Sequence, residues 1–96
     1  MKFLVITKAP QTFTSERIQA IRERAKAQLK SGVIDCFYVF ANGSRAVSIT
    51  NADSAEALAE RFLLRGWPPP ETEIHPLVDF DKYLEQVAEA IKKQGL

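Results

Sequence analysis

Cysteine and histidine are nearly absent from this chain of 96 residues, which has one of each. A single cysteine excludes an internal disulfide framework. One cysteine and one histidine cannot supply the three or four protein ligands of a zinc site unaided. We therefore expect no metal site.

An excess of charge of one sign is also lacking. The chain has thirteen lysines and arginines and twelve acidic residues, which gives a net charge of +1. No strong electrostatic field therefore attracts nucleic acid or an anionic membrane. We expect neither as a partner. The apolar run at residues 3–6 is too short for a signal peptide or a membrane span, which makes a cytoplasmic location the default expectation.

The composition that is present is that of a folded domain. Apolar residues make up 46% of the chain and charged residues 26%, which argues against disorder. At this length one modest core is possible. We expect a single domain over residues 1–96.

Periodicity predicts four strands and three helices. Strands are predicted at 3–7, 33–41, 45–50 and 72–78, and Pro76 places the last of them at a sheet edge. Helices are predicted to start at Thr14 or Ser15, at Asp53 or Ser54, and at Asp79 or Asp81. Gly32 and Gly66 are predicted to end the first two.

The order of these elements predicts an α+β fold. It is βαββαβ with a terminal helix, the ferredoxin-like pattern. Right-handed crossovers then give a four-stranded antiparallel sheet in the order 4-1-3-2. Asn42-Gly43 predicts a two-residue type I′ hairpin between the second and third strands. The outer face of the first helix, expected in solvent, carries the basic residues Arg17, Arg22, Arg24 and Lys26.

Hairpin parity assigns the faces of the sheet. The more uniformly apolar set is predicted under the helices: Cys36, Tyr38, Phe40, Val47 and Ile49. The open face is predicted to carry Phe37, Val39, Ser48, Thr50, Glu73, His75 and Leu77. The first strand is ambiguous, because Phe3/Val5 and Leu4/Ile6 are both apolar.

Such an open face is too apolar to stay in water. Either the terminal helix folds over it or a second copy of the sheet does, and we favour the second copy. The chain is then a homodimer, or a larger homo-oligomer, that encloses a small-molecule site.

Candidate site residues lie on this predicted open face. His75 is the group able to exchange a proton near neutral pH, and the alternative is a solvent-reaching histidine on an edge strand. Glu73 is a second acid–base candidate. The residues predicted to contact a ligand are Ser48, Thr50, Phe37, Val39, Glu73 and Trp67. The alternatives are water-satisfied hydroxyls, an exposed carboxylate and plain packing.

The chain resembles the dimeric α+β barrel superfamily, and within it the muconolactone isomerase-like proteins. The resemblance covers about residues 1–78 and is carried by Ala41-Asn42-Gly43, Ala46-Val47-Ser48-Ile49, Asp53-Ser54-Ala55-Glu56-Ala57-Leu58, Trp67-Pro68-Pro69 and Pro76-Leu77. It implies a cofactor-independent isomerase that moves a double bond in a small lactone. Residues 34–39 lack the arginine, histidine and tryptophan of the isomerase pattern, so no isomerase residue is carried over.

Two functions follow from the sequence. The first is an isomerase acting by proton transfer through His75 on a lactone-like or cyclic metabolite. The second is a non-catalytic module of the same fold that binds a small ligand or assembles with itself. A superfamily oxygenase is a further alternative that rests on fold analogy.

Overall fold

A computed structural model describes residues 1–9, 12–64 and 72–95. Its elements, in chain order, are β1 (Lys2–Lys8), α1 (Ser15–Ser31), β2 (Ile34–Val39), β3 (Arg45–Asn51), α2 (Ala55–Leu64), β4 (Glu73–Leu77) and α3 (Phe80–Lys93). The strands form one antiparallel sheet in the order β2-β3-β1-β4. The predicted ferredoxin-like α+β fold with a C-terminal helix is confirmed, and so is the edge position of β4. The predicted helix end at Gly66 lies outside the described residues.

The helices begin at side-chain caps. The side-chain oxygens of Thr14, Ser54 and Asp79 each accept a hydrogen bond from the backbone N–H three residues on, at 3.0–3.2 Å. These bonds satisfy N–H groups that have no partner inside a first helical turn. Gly32 ends α1 in the left-handed conformation, with φ at 81°, which glycine adopts without the steric cost of a Cβ.

The hairpin between β2 and β3 differs from the predicted type I′ turn. No described non-glycine residue has a positive φ, so Asn42 does not take the conformation that this turn requires. Instead, the Gly43 N–H donates to the Phe40 carbonyl at 2.7 Å, and Gly43 has a φ of 74°. The Asn42 side-chain oxygen accepts from the Ser44 N–H at 3.0 Å. This local bond holds the turn in a longer form with only the glycine left-handed.

The predicted strand pairing is confirmed, but the predicted faces of β2 and β3 are wrong. Cys36 pairs with Ile49 and Tyr38 with Val47, as expected. The core lies on the other side, where Phe3 and Val5 pack with Leu58 of α2.

The face of the sheet under the helices, here the covered face, carries Phe3, Val5, Phe37, Ala46, Ser48 and Thr50. Thr50 pairs with Phe3 and Ser48 with Val5, and directly paired residues point to the same side. The opposite side, here the open face, carries Leu4, Ile6, Cys36, Tyr38, Val47, Ile49, Glu73 and His75. Of the predicted face assignments, that of β4 is confirmed. The face assignment of the hairpin was wrong because the more apolar side of β3, with Val47 and Ile49, is the open one, while the covered side carries Ala46, Ser48 and Thr50.

α3 does not cover the open face. None of its residues is buried, and it makes no extensive contact with another described element. The radius of gyration is 17.1 Å and the longest dimension 61 Å, whereas a compact domain of this length has a radius of gyration of about 12–13 Å. α3 therefore projects from the sheet. No helix in the described ranges has the length and apolarity needed to cross a membrane.

Candidate ligand site

A cavity of about 420 Å³ lies between the covered face, α1 and α2. Its floor is β3, whose residues on this side are the small Ala46, Ser48 and Thr50. No residue of α1 is buried, so that helix does not fill the space above them. The volume is within the range typical of small-molecule sites, about 300–1,000 Å³.

Most of the cavity wall is apolar. The aromatic rings of Phe37 and Phe62 line it from the sheet and from α2. Aliphatic side chains complete this part of the wall: Val5, Ile21, Val33, Ile34 and Leu58. Such a lining suits a ligand with an apolar body, because binding removes the hydrocarbon surface of the ligand and that of the cavity wall from water.

Two cationic side chains reach the cavity from the helices. Arg61 comes from α2 and Arg24 from α1, and no acidic residue is among the described lining residues. Arg24 is exposed, while Arg61 is partly buried. Lys8 also borders the cavity, but it pairs with Arg45 of β3, so its side chain leaves the sheet on the open side. The two arginines give the cavity a positive potential, with no carboxylate in the described lining to neutralise it.

Arg61 is the cation whose hydrogen-bonding is incomplete. Its Nη1 atom is buried and has no hydrogen-bond partner among the residues that the structure describes. A buried N–H of a guanidinium that lacks a partner forfeits its hydration, which costs more than the loss of a neutral donor. Native structures normally satisfy such a group with protein, water or a ligand.

Hydroxyl groups supply neutral polar contacts on the cavity floor. Ser48 Oγ and Thr50 Oγ1 are 3.0 Å apart, with either oxygen as the donor. That bond uses one of the two hydroxyl hydrogens and leaves the other able to donate. Thr7 and Gln28 also line the cavity, so donors surround it on several sides.

These groups suit anion binding rather than proton transfer. Within the described residues, the lining contains no histidine, cysteine, aspartate or glutamate. Guanidinium groups donate hydrogen bonds in a fixed fork and accept none, so they hold carboxylates or phosphates rather than transferring protons. The chemistry that the cavity offers is recognition of a negatively charged group next to an apolar one.

The residues predicted from the sequence divide between two faces. Ser48, Thr50 and Phe37 line the cavity. Val39 is exposed near the hairpin end of β2 and does not line it. Trp67 lies outside the described residues.

His75 and Glu73 lie on the open face, where His75 Nε2 is 3.9 Å from Glu73 Oε1. Both side chains are more than half exposed. Ser48 faces the other side of the sheet, so His75 and Ser48 lie on opposite faces within a single chain, although both were predicted on the open face.

The sequence reasoning missed the cations of the cavity. Arg24 was expected on the solvated face of α1, and nothing in the spacing singled out Arg61. The available signal is the run of small residues that alternates along β3, Ala46, Ser48 and Thr50, which leaves room beneath two helices.

Ion pairs occupy the margins of the open face. Arg45 Nη1 is 3.3 Å from Glu73 Oε2. Asp35, at the irregularity between Ile34 and Cys36, accepts from Lys2 Nζ and from Asn51 Nδ2. The hydrogen bond from Lys2, followed by that from Asn51, lowers the pKa of Asp35 below its ordinary value of 3.8, because both stabilise the carboxylate.

Comparison with known proteins assigns the chain to a family. A family model described as a domain of unknown function, DUF3303, matches residues 1–91, so the chain belongs to that family. No curated protein and no solved structure matches the chain with significant similarity.

Proposed function

We propose that this member of the DUF3303 family binds a small molecule with an apolar body and one anionic group, held in the cavity between the covered face and the first two helices. The apolar wall receives the body of the ligand. Arg61 receives the anionic group, and Arg24 adds charge nearby.

The observation that carries this proposal is the buried Nη1 atom of Arg61 without a partner. Arg61 also lines the cavity, so a rotation of its guanidinium group brings its N–H groups to a carboxylate or phosphate oxygen, which supplies the acceptor and the opposite charge in one contact. Charge-assisted hydrogen bonds of this kind are roughly twice as strong as neutral ones. The free hydroxyl hydrogen of the Ser48–Thr50 pair offers a second donor to the same ligand.

Binding without catalysis has better support than the isomerase predicted from the resemblance. Proton transfer between two carbons needs a group that gains and loses a proton near neutral pH, and the described cavity lining has none. The muconolactone isomerase-like activity, with His75 as the acid–base group, stays a prediction. So does the cytoplasmic location.

Self-association is the second part of the proposal. The open face has an apolar centre, and α3 does not cover it, since no residue of α3 is buried and that helix makes no extensive contact with another described element. A homodimer removes this surface from water, and light scattering at micromolar concentration tests it. A mass of 10.8 kDa, that of one chain, contradicts this part.

Benzoate and benzamide test the ligand site, because they share a ring and differ in charge. We expect benzoate to shift the backbone amide signals of Ser48 and Thr50 in NMR titrations, and benzamide to bind at least about tenfold more weakly. Arg61→Met keeps much of the apolar stem and removes the charge, so it weakens benzoate binding by about 10–100-fold.

Arg22→Met is the matched control, because Arg22 is exposed on α1 and does not line the cavity. It leaves benzoate binding unchanged. Equal binding of benzoate and benzamide, or equal losses in the two arginine variants, would contradict an anion site at Arg61.

A further inference from the structure

α3 carries an apolar stripe that makes no extensive contact with another element in the described part of the chain. Its exposed residues on one side of the helix are Phe80, Tyr83, Leu84, Val87 and Ile91. These positions follow the i, i+3, i+4, i+7 spacing of a packed helix face. Helices of this length usually owe their stability to packing of such a face.

The open face is a second apolar surface that α3 leaves uncovered. Leu4, Ile6, Val47 and Ile49 form its centre and are half-buried. Charged groups at its margins are paired with each other, as Arg45 is with Glu73. Pairing at the margin leaves the centre without an exposed charge that would oppose an apolar partner.

We propose that α3 of one chain packs on the open face of a second copy, and that the second copy returns the same contact. This inference rests on the self-association proposed above and specifies its geometry. Two sheets meeting face to face would cover both open faces but leave both stripes in water. The reciprocal exchange covers both kinds of surface at once.

The dimensions of the two surfaces agree. α3 has 14 residues and is about 21 Å long. The four strand axes of the sheet span about 14 Å, to which side chains add several ångströms. One helix therefore crosses most of the open face.

The α3 stripe also exposes a large apolar area that a dimer interface could bury. Phe80 is 73% exposed and Tyr83 51%, so these two residues alone expose on the order of 250 Å². In an exchange each chain contributes its stripe and its open face. A stable interface buries roughly 800 Å² per partner. Because the exchange makes two helix–sheet contacts per dimer, both contacts count toward that area.

The charge of α3 favours a protein partner over a membrane. The helix has three acidic residues, Asp81, Glu85 and Glu89, and three basic ones, Lys82, Lys92 and Lys93. Helices that lie on anionic membranes have an excess of lysine and arginine on the polar face, and α3 has none. A balanced helix suits an open face whose own charges are paired.

The lone cysteine, Cys36, lies on the open face and gives a direct test. Val87→Cys and Leu84→Cys each place a second thiol in the α3 stripe, and Glu89→Cys places one on the polar side as a control. Under mild oxidation at micromolar concentration, we expect at least one stripe variant to form a disulfide-linked dimer with Cys36 of the other copy. The Glu89→Cys variant and the unmodified chain stay at the mass of one chain on a non-reducing gel.

Each other result overturns the exchange in a recognisable way. A linked dimer of the unmodified chain joins two Cys36 residues and means that sheet meets sheet, which leaves self-association standing. An oxidised stripe variant at the mass of one chain means that α3 folds onto its own sheet. Absence of any disulfide in both stripe variants also overturns the exchange. A light-scattering mass of one chain removes self-association together with it.

Discussion

The two faces of the sheet are formed by the same four strands, but only one of them is packed against helices. On the covered face, Phe3 is 1% exposed and packs with Leu58, while the far end of the same face forms a cavity over Ala46. On the open face, Leu4 and Ile6 are as apolar but remain half-buried. Alternating side chains thus supply two apolar surfaces, and the helices that pack on the sheet decide which becomes the core.

The largest effect expected from this difference is on stability. Phe3→Ala removes the largest fully buried side chain, and we expect it to lower the free energy of unfolding by about 3–5 kcal/mol. Leu4→Ala, the neighbouring change on the open face, costs less, because Leu4 is half-buried. Urea unfolding measured at one low protein concentration compares the two.

Protein concentration sharpens the same comparison. If the open face is covered by a second copy, the cost of Leu4→Ala grows as the concentration rises, whereas that of Phe3→Ala stays constant. Equal costs for the two variants at every concentration would mean that the faces do not differ as described.

The asymmetry between the faces also explains what the sequence predicts and what it does not. The element order was readable because Thr14, Ser54 and Asp79 are good caps and Pro76 restricts β4 to an edge. Pairing was readable because Tyr38 and Val47 lie at fixed distances from the turn. Parity gives the partners of each residue but not the side on which helices pack. The composition of β3 favoured the wrong side, because its covered side carries Ser48 and Thr50 and its open side Val47 and Ile49.

The candidate site was less predictable for a related reason. Ser48, Thr50 and Phe37 were expected to contact a ligand and do line the cavity. Their cationic partners come from α1 and α2, so their convergence depends on the angles and heights of two helices. Residue spacing along the chain does not encode those quantities.

Filling the cavity tests whether the covered face is built around an empty volume. Ala25 is half-buried on α1 and lines the cavity, whereas Ala27 on the same helix is exposed. Ala25→Leu places extra methyl groups in apolar surroundings, so we expect it to raise the free energy of unfolding by about 1 kcal/mol and to abolish benzoate binding.

Ala27→Leu is the matched control and changes neither quantity appreciably, because its side chain stays in water. Urea unfolding and NMR titration measure the two effects. Retention of benzoate binding in Ala25→Leu would contradict a binding site in this cavity.

The smallest expected effect on stability comes from an ion pair at the margin of the open face. The two faces also differ in how their charged groups are paired. The buried guanidinium nitrogen of Arg61 on the covered side has no partner, while the Lys2 ammonium at the margin of the open face donates to Asp35. Because the folded-state pKa of Asp35 is lowered, its ionised form adds stability that is present above the unfolded pKa, near 3.9. That contribution is lost as the pH falls through the lower folded-state pKa.

Removing the ammonium group isolates this contribution. Lys2→Met deletes the largest cause of the shift, so the pKa of Asp35 rises towards its ordinary value, while the hydrogen bond from Asn51 keeps it partly lowered. A carboxyl-carbon NMR titration measures it, with Lys8→Met as the control that leaves it unchanged. The change in stability is small, because both side chains are substantially exposed. An unmoved pKa in Lys2→Met would mean that Asn51, rather than the ion pair, holds the carboxylate, and that the margin of the open face is less strongly paired than the geometry indicates.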